Sequence, residues 1–151
     1  MQAKAPGLIA TNKKAFHDYF VEDTFETGIE LCGTEVKSLR NGRVNLKDAY
    51  CQIKSGEIRV YGMHISPYEK GNLFNRDPVR PRRLLMHKRE IMRLFGLVGQ
   101  QGYSIIPLKL YFSGRWVKME IGICKGNKLY DKRESDARRS AQREAERADK
   151  G

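Results

Sequence analysis

The 151-residue sequence contains no long apolar segment. A membrane-spanning helix needs roughly 18–20 consecutive apolar residues, and a signal peptide needs a shorter apolar core near the N-terminus. Neither pattern is present, and no basic amphipathic helix with bulky apolar anchors is evident. We therefore expect a cytoplasmic protein that has no membrane partner.

Cysteine and histidine are scarce, with three residues of each type. Cys32, Cys51 and Cys124 are far apart, so no pair has the spacing of a zinc knuckle or a redox motif. Cys51 and Cys124 fall within strand-like segments, which favours reduced thiols. The histidines are equally scattered. We expect no metal site and no cofactor.

Signatures of catalysis are also missing. The sequence has no P-loop, no dinucleotide fingerprint, no activated nucleophile and no metal-binding triad. The glycines of Gly96–Gly99 lie near the end of a predicted helix, which is the wrong end for binding a phosphate. Four carboxylates could still meet as in a metal-dependent nuclease: Asp23, Glu26, Glu30 and Glu35. An enzyme is therefore the least favoured hypothesis, behind the two RNA-binding hypotheses given below, and we expect no catalytic residue.

Positive charge is abundant. The 29 Lys and Arg residues exceed the 18 Asp and Glu residues, which gives a net charge of +11. An excess of this size indicates a polyanionic partner, and nucleic acid is favoured because no membrane-binding pattern is present. The basic residues form three clusters in different segments: Lys37/Arg40/Arg43/Lys47, Arg80/Arg82/Arg83/Lys88/Arg89 and Arg115/Lys118/Lys125/Lys128. This distribution is typical of a surface that contacts folded RNA at several phosphates.

Alternating apolar residues predict a mainly β protein. The strand-like segments are about six in number, most connections are short, and one substantial helix is predicted over His87–Gln100 on its apolar periodicity. In that helix we place Ile91, Leu94, Phe95 and Val98 on the core-facing side. These elements fit an OB-like antiparallel Greek-key barrel with one main helix and short helices. A split α+β sandwich is the alternative.

Two short helices are predicted by their capping residues. Asn12 can cap a helix that exposes Lys13, and Thr34 can cap a second helix that exposes Lys37 and Arg40. Gly42 is suited to end the second helix because glycine adopts a left-handed backbone without strain. The alternation of the preceding strand places the Glu26 carboxylate on an outward sheet face.

The last 21 residues differ in composition from the rest. From Asp131 onward the only apolar side chain is alanine, and seven Lys or Arg residues nearly balance six Asp or Glu residues. So little apolar area cannot offset the entropy of ordering the chain. We predict a flexible N-terminus at 1–11, a barrel at 12–130, and a tail at 131–151. The tail is expected to be disordered alone and helical against a charged surface.

An ordered series of motifs spans nearly the whole chain. The motifs are Asn12–Ala15, Phe25–Ile29, Gly33–Arg40, Pro67–Gly71, Asp77–Pro78, Arg83–Glu90, Pro107–Tyr111, Lys125–Lys128 and Asp131–Arg133. In this series the sequence resembles the SmpB family. Thr27 departs from the alanine usual in the family, and Asn127 interrupts a run of lysines, which removes one phosphate partner.

The resemblance implies a function. A family member binds the tRNA-like domain of tmRNA and delivers alanyl-tmRNA to stalled ribosomes for trans-translation, the process of ribosome rescue and peptide tagging. The implied partners are tmRNA and the decoding centre and mRNA path of the small ribosomal subunit. Elongation factor Tu and alanyl-tRNA synthetase are further partners through tmRNA.

The resemblance also implies functional residues. Positions tied to tmRNA binding in the family fall on Asn12, Glu26, Leu85 and Lys118. With exposed basic residues added, the expected RNA-binding set is Asn12, Lys13, Glu26, Lys37, Arg40, Arg83, Leu85, Lys118, Lys125 and Lys128. In the tail, Asp131, Lys132 and Arg133 match a motif needed on the ribosome after RNA binding. Tyr130 is placed to stack on a base of the decoding centre. A general ribosome-associated RNA-binding module is the second hypothesis.

Overall fold

The computed structural model describes residues 7–68 and 77–126 of the chain. In this part of the chain there are nine strands and three helices. The strands are β1 (Leu8–Thr11), β2 (Phe20–Ile29), β3 (Val44–Asn45), β4 (Tyr50–Lys54), β5 (Glu57–Tyr61), β6 (His64–Ile65), β7 (Arg82–Leu85), β8 (Ser104–Ser113) and β9 (Trp116–Lys125). The helices are α1 (Lys13–Asp18), α2 (Gly33–Arg40) and α3 (Lys88–Gln101). No helix of this part is both long and apolar enough to cross a membrane.

Six of the strands form a closed antiparallel barrel. The order around the barrel is β8-β4-β5-β7-β2-β9, and β9 pairs with β8 to close the ring. Closure satisfies the backbone hydrogen bonds that an open sheet would leave at its edges. The prediction of a mainly β, OB-like barrel is confirmed.

The barrel interior follows the predicted alternation. From β9, Val117, Met119, Ile121 and Ile123 all point inward and are buried. The α3 helix covers part of this core with Ile91 and Leu94. The helix begins after His87 and ends at Gly102, whose backbone is left-handed (φ 69°).

The apolar face of α3 is narrower than predicted. Phe95, which we placed toward the core, is 56% exposed, and Met92 is 54% exposed. A helix resting on a curved barrel contacts it along a narrow stripe, so residues at the flank of the apolar face remain open to solvent. The predicted core position of Phe95 is therefore wrong.

The predicted flexible N-terminus is also corrected in part. Residues 8–11 form β1, which pairs with β8 through Leu8–Tyr111, Ala10–Leu110 and Thr11–Lys109. Ile9 is buried in the main core. Because β1 pairs with a strand about 100 residues away, its own composition contains little signal of this pairing. Residues 1–6 of this predicted segment, and the whole of the predicted tail, lie outside the described residues.

The α2 helix has a different cap from the one predicted. Its N-cap is Cys32, not Thr34, and the backbone N–H of Cys32 donates to the Glu35 side chain at 2.9 Å. At the other end, Gly42 adopts a left-handed conformation (φ 68°), as predicted. Lys37 and Arg40 are exposed and Leu39 is buried, also as predicted.

A buried ion network anchors α2 to the barrel. Glu35 is only 4% exposed and accepts hydrogen bonds from the guanidinium groups of Arg80 and Arg82. Arg82 is 1% exposed and also donates to the carbonyl oxygens of Met63, at 2.6 Å, and Pro78, at 3.1 Å. These two arginines were assigned to an RNA-binding basic cluster. That assignment is wrong for Arg82, whose donors all serve the fold.

Candidate nucleic-acid interface

Three of the predicted site residues converge on one outer face of the barrel. Gly28 of β2 lies directly opposite Leu85 of β7 on one side and Lys118 of β9 on the other. Residues that lie opposite each other in a sheet point to the same face. Glu26 precedes Gly28 by two residues and therefore shares that face, where it is exposed. The register thus brings together residues that are far apart in sequence.

Gly28 leaves an opening at the centre of this face. A Cβ atom at Gly28 would lie 3.2 Å from the Leu85 Cβ, which is closer than most real contacts. A groove of ≈ 810 Å³ lies at this face, and its lining includes Glu26, Leu85 and Lys118. We call this the β2–β7 groove; its remaining lining comes from Gly28, residues 55–57, residues 83–84, residues 86–88, Glu90 and Ile91. Leu85 is 47% exposed, which places an apolar side chain among charged ones.

The register adds a fourth residue that sequence reasoning missed. Tyr111 of β8 lies opposite Lys118, and its hydroxyl donates a hydrogen bond to Oε2 of Glu26. Burial, and secondly this bond, raise the pKa of Tyr111. The available signal was its place in the Pro107–Tyr111 motif. Its partner, however, lies 85 residues away in sequence.

Charges on this face are unevenly compensated. Glu26 lies opposite Glu120, a like-charge pair of a kind that destabilises a sheet. Among the described residues, no acidic group lies within salt-bridge distance of the Lys118 ammonium. That ammonium is thus available to an external anion, and a phosphate is well suited to it.

Arg83 lies at the same groove but has protein partners. Its guanidinium is 3.2 Å from a Glu30 carboxylate oxygen and 3.6 Å from a Glu57 oxygen. All three side chains are substantially exposed, so these ion pairs are weak. A phosphate could therefore replace either carboxylate at small cost.

The other predicted cations are spread around the barrel. Lys13 lies on α1, and Lys37 and Arg40 lie on α2, where the Lys37 ammonium is 5.4 Å from the centre of the Tyr68 ring. Lys125 ends β9, seven residues from Lys118, which corresponds to about 23 Å along a strand. Lys128 and the tail residues Tyr130, Asp131, Lys132 and Arg133 lie outside the described residues.

Asn12 is not part of an exposed surface. It is 3% exposed, and its side-chain amide donates to the carbonyl oxygens of Leu46, at 3.0 Å, and Pro107, at 2.9 Å. Its Oδ1 accepts from the Ala15 backbone N–H at 3.1 Å, which confirms the predicted cap of α1. The expectation that Asn12 contacts RNA is therefore corrected: its polar atoms join α1 to the barrel.

Asn12→Ala should lower the free energy of unfolding by about 2–4 kcal/mol, because it removes a helix cap and the amide that donates to two carbonyl oxygens in the protein interior. Urea denaturation measures this loss. The exposed neighbour supplies the control, since Lys13→Ala should change stability by less than about 0.5 kcal/mol. The structural role predicts that the folded Asn12→Ala protein keeps its RNA affinity within about twofold. A stable variant with much weaker RNA binding would contradict it.

The four carboxylates considered for a nuclease are engaged separately. Glu35 binds Arg80 and Arg82, Glu30 pairs with Arg83, Glu26 accepts from Tyr111, and Asp23 accepts from the Thr24 backbone N–H. In residues 7–68 and 77–126, no group of three or more His, Cys, Asp or Glu side chains is arranged to hold a metal ion. The cysteines of this part are free thiols, and burial raises the pKa of Cys124 to about 11.

The fold and this face define a class of protein. It is a basic, closed β-barrel with a groove that combines a free cation, a fixed carboxylate and an exposed leucine, which is a composition suited to binding nucleic acid through backbone and shape.

Comparisons with known proteins agree with that class. The family model described as "SmpB protein" matches residues 9–151, so the chain belongs to the SmpB family. The chain is 58% identical over 140 residues to the SsrA-binding protein of Caldanaerobacter subterraneus subsp. tengcongensis, covering 93% of this chain and 89% of the relative. It is 59% identical over 141 residues to the SsrA-binding protein of Carboxydothermus hydrogenoformans, covering 93% and 95%.

A solved structure shows the same fold. A chain from the work described as "tmRNA-SmpB: a journey to the center of the bacterial ribosome" is 46% identical to this chain, with a TM-score of 0.67. The match covers 81% of this chain and 85% of that chain.

Proposed function

We propose that this protein binds the tRNA-like domain of tmRNA and delivers alanyl-tmRNA to stalled ribosomes for trans-translation. The observation that carries the proposal is the family match over residues 9–151, with relatives named SsrA-binding protein and a structural neighbour from a tmRNA–SmpB ribosome study. We propose the cytoplasm as the place of action, because the ribosome is the partner. Elongation factor Tu and alanyl-tRNA synthetase are proposed as partners through tmRNA.

The β2–β7 groove is proposed as the primary RNA contact. Lys118 would bind a backbone phosphate, because no described residue neutralises its charge. The Glu26 carboxylate would accept a hydrogen bond from a sugar hydroxyl or a base edge, since it would repel a phosphate. Leu85 supplies apolar contact area on the β7 side of Gly28, across β2 from Lys118. The distributed cations would contact further phosphates around the folded RNA: Lys13, Lys37, Arg40, Arg83, Lys125 and Lys128.

The tail is proposed to act on the ribosome. Tyr130, Asp131, Lys132 and Arg133 would contact the decoding centre and the mRNA path. Residues 131–151 carry a net charge of only +1, so +10 of the total resides in residues 1–130. RNA affinity should therefore come from the barrel and from the β1 strand that pairs with it.

Competition binding tests this proposal. In a gel shift, the tRNA-like domain of tmRNA should displace labelled tRNA-like domain at much lower concentration than ordinary tRNA or unstructured RNA does. Equal competition by all three RNAs would support the general ribosome-associated module instead. We propose an RNA-binding factor and not an enzyme, so incubating the protein with RNA and Mg²⁺ should produce no cleavage.

Lys118→Ala should weaken binding of the tRNA-like domain and flatten its salt dependence. Each phosphate contact contributes roughly 0.7–0.9 to the slope of log affinity against log salt, so one lost contact should reduce the slope by that amount. Titrations at several salt concentrations measure it. The control is Lys54→Ala, since Lys54 is an exposed lysine of β4 that does not line the groove. A similar change in slope for both variants would show that the charge acts nonspecifically.

A further inference from the structure

We propose that Tyr111 is a positioning residue that holds the Glu26 carboxylate in the orientation needed to accept a hydrogen bond from RNA. This inference rests on the proposed function and adds to it a residue that need not contact RNA itself. The inference is based on the hydrogen bond from the Tyr111 hydroxyl to Oε2 of Glu26.

The bond crosses a strand. Tyr111 is on β8 and Glu26 is on β2, and β9 lies between them. Two strand spacings separate their backbones by about 10 Å, a distance that a tyrosine and a glutamate can span only when both are extended. The pair therefore lies across β9, between the positions of Lys118 and Glu120. Such an extended arrangement restricts the rotamers of both side chains.

The hydrogen bond from Tyr111 also counteracts the repulsion between the carboxylates of Glu26 and Glu120. Glu120 lies directly opposite Glu26, and two carboxylates at that separation repel each other. Without a donor, the flexible Glu26 side chain would turn away from Glu120 toward solvent. The Tyr111 hydroxyl supplies the donor and keeps one carboxylate oxygen over the strand. The bond from Tyr111 engages Oε2, so we assign Oε1 as the oxygen that accepts from the ligand.

The donor persists over a wide pH range. Burial and the bond to Glu26 both raise the pKa of Tyr111, so its hydroxyl stays protonated at neutral and moderately alkaline pH. The arrangement places a fixed acceptor two residues from Gly28, at the opening of the β2–β7 groove, and on the same face as the Lys118 cation. Fixing the carboxylate before binding reduces the ordering cost of binding RNA.

A neighbouring pair supplies a matched control. Tyr103, the residue just before β8, donates to Oε2 of Glu22 on β2 at 3.0 Å, which is also a tyrosine–glutamate hydrogen bond. Neither residue lines the β2–β7 groove. Loss of the Tyr103 hydroxyl should lower the free energy of unfolding by no more than loss of the Tyr111 hydroxyl does, and it should leave the proposed site unaffected.

The test is a double-mutant cycle in binding of the tRNA-like domain. Tyr111→Phe should weaken binding by roughly fivefold in the otherwise unchanged protein, and by less than about 1.5-fold when Glu26→Ala is already present. Tyr103→Phe should leave binding unchanged. Thermal unfolding of each variant confirms that the proteins compared are folded.

Three outcomes would overturn the inference. The first is that Tyr111→Phe leaves the affinity for the tRNA-like domain unchanged. The second is that Tyr111→Phe lowers this affinity equally with and without Glu26→Ala. The third is that Tyr103→Phe lowers the affinity as much as Tyr111→Phe does. Failure of the proposed function is distinguishable, because the unsubstituted protein would then bind ordinary tRNA as tightly as the tRNA-like domain. If tRNA-like binding is selective and the cycle shows no coupling, the function stands and the positioning role is rejected.

Discussion

Glu35→Gln should lower the free energy of unfolding by about 3–5 kcal/mol, because removing one partner leaves the buried Arg82 guanidinium without its counter-charge. Arg82 is 1% exposed, and its Nε donates to Oε2 of Glu35 at 2.8 Å. Solvent cannot replace the lost carboxylate at this depth. The same carboxylate accepts from the Cys32 N–H and binds Arg80, so the start of α2 would be weakened as well. Chemical denaturation measures the loss.

Glu30→Gln is the matched control. Glu30 also pairs with an arginine, Arg83, at 3.2 Å, but its side chain is 63% exposed. Exposed pairs contribute about 0–1 kcal/mol, so the change in stability should be small. Equal effects of the two substitutions would show that burial does not determine the strength of the Glu35 network.

Glu35 should also contribute to the loss of stability at acidic pH. Burial alone would raise the pKa of its carboxyl, but hydrogen bonds from Arg80, the Cys32 N–H and Arg82 outweigh burial and lower it. A carboxyl with a lowered folded pKa stabilises the protein fully above its unfolded pKa, about 4.3. That stabilisation is lost as the pH falls through the folded pKa. Glu35→Gln should therefore show a flatter fall in stability below pH ~4.3.

Replacing Asp131, Lys132 and Arg133 with alanine should abolish peptide tagging while leaving affinity for the tRNA-like domain within about twofold. The reason is the separation of charge: residues 1–130 carry +10 of the +11 net charge, and nonspecific and backbone contacts to RNA depend on that charge. Tagging is measured in a translation reaction with a stalled ribosome, and affinity is measured by titration with the isolated RNA domain.

A second tail variant controls for composition. Glu146, Arg147 and Lys150 provide one acidic and two basic residues further along the same segment, and their replacement with alanine should retain most tagging. The division of roles would be refuted if the first variant lost RNA affinity to the same extent as Lys118→Ala. It would also be refuted if the two tail variants lost tagging equally, since tagging would then depend on charge alone.

Local patterns predicted much of the site. The alternation along β2 placed Glu26 outward, and the resemblance supplied Leu85 and Lys118. Strand alternation repeats every two residues, so it can be seen in a short segment. The alternation within one strand does not show that Gly28 of β2 lies opposite Leu85 of β7 and Lys118 of β9, because register is a relation between strands.

The errors share a cause. Arg82 and Glu35 look like ordinary surface charges in the sequence. Both are buried in the structure, where each neutralises the charge of the other. Asn12 was correctly predicted as a cap, but its two further bonds, to Leu46 and Pro107, depend on segments 34 and 95 residues away. Local composition contains no signal of such partners.

Residue identity and local patterns were enough to predict the charge distribution, the strand alternation, the helix ends at Asn12 and Gly42, and the family to which the motifs belong. These properties depend on residue identity and on neighbours within a few positions. Three features became visible only in the folded chain: which charges are buried, which face brings Glu26, Leu85 and Lys118 together, and the contact of Tyr111 with Glu26. Those outcomes depend on barrel closure and register, which bring together groups that are separated by tens of residues in the chain.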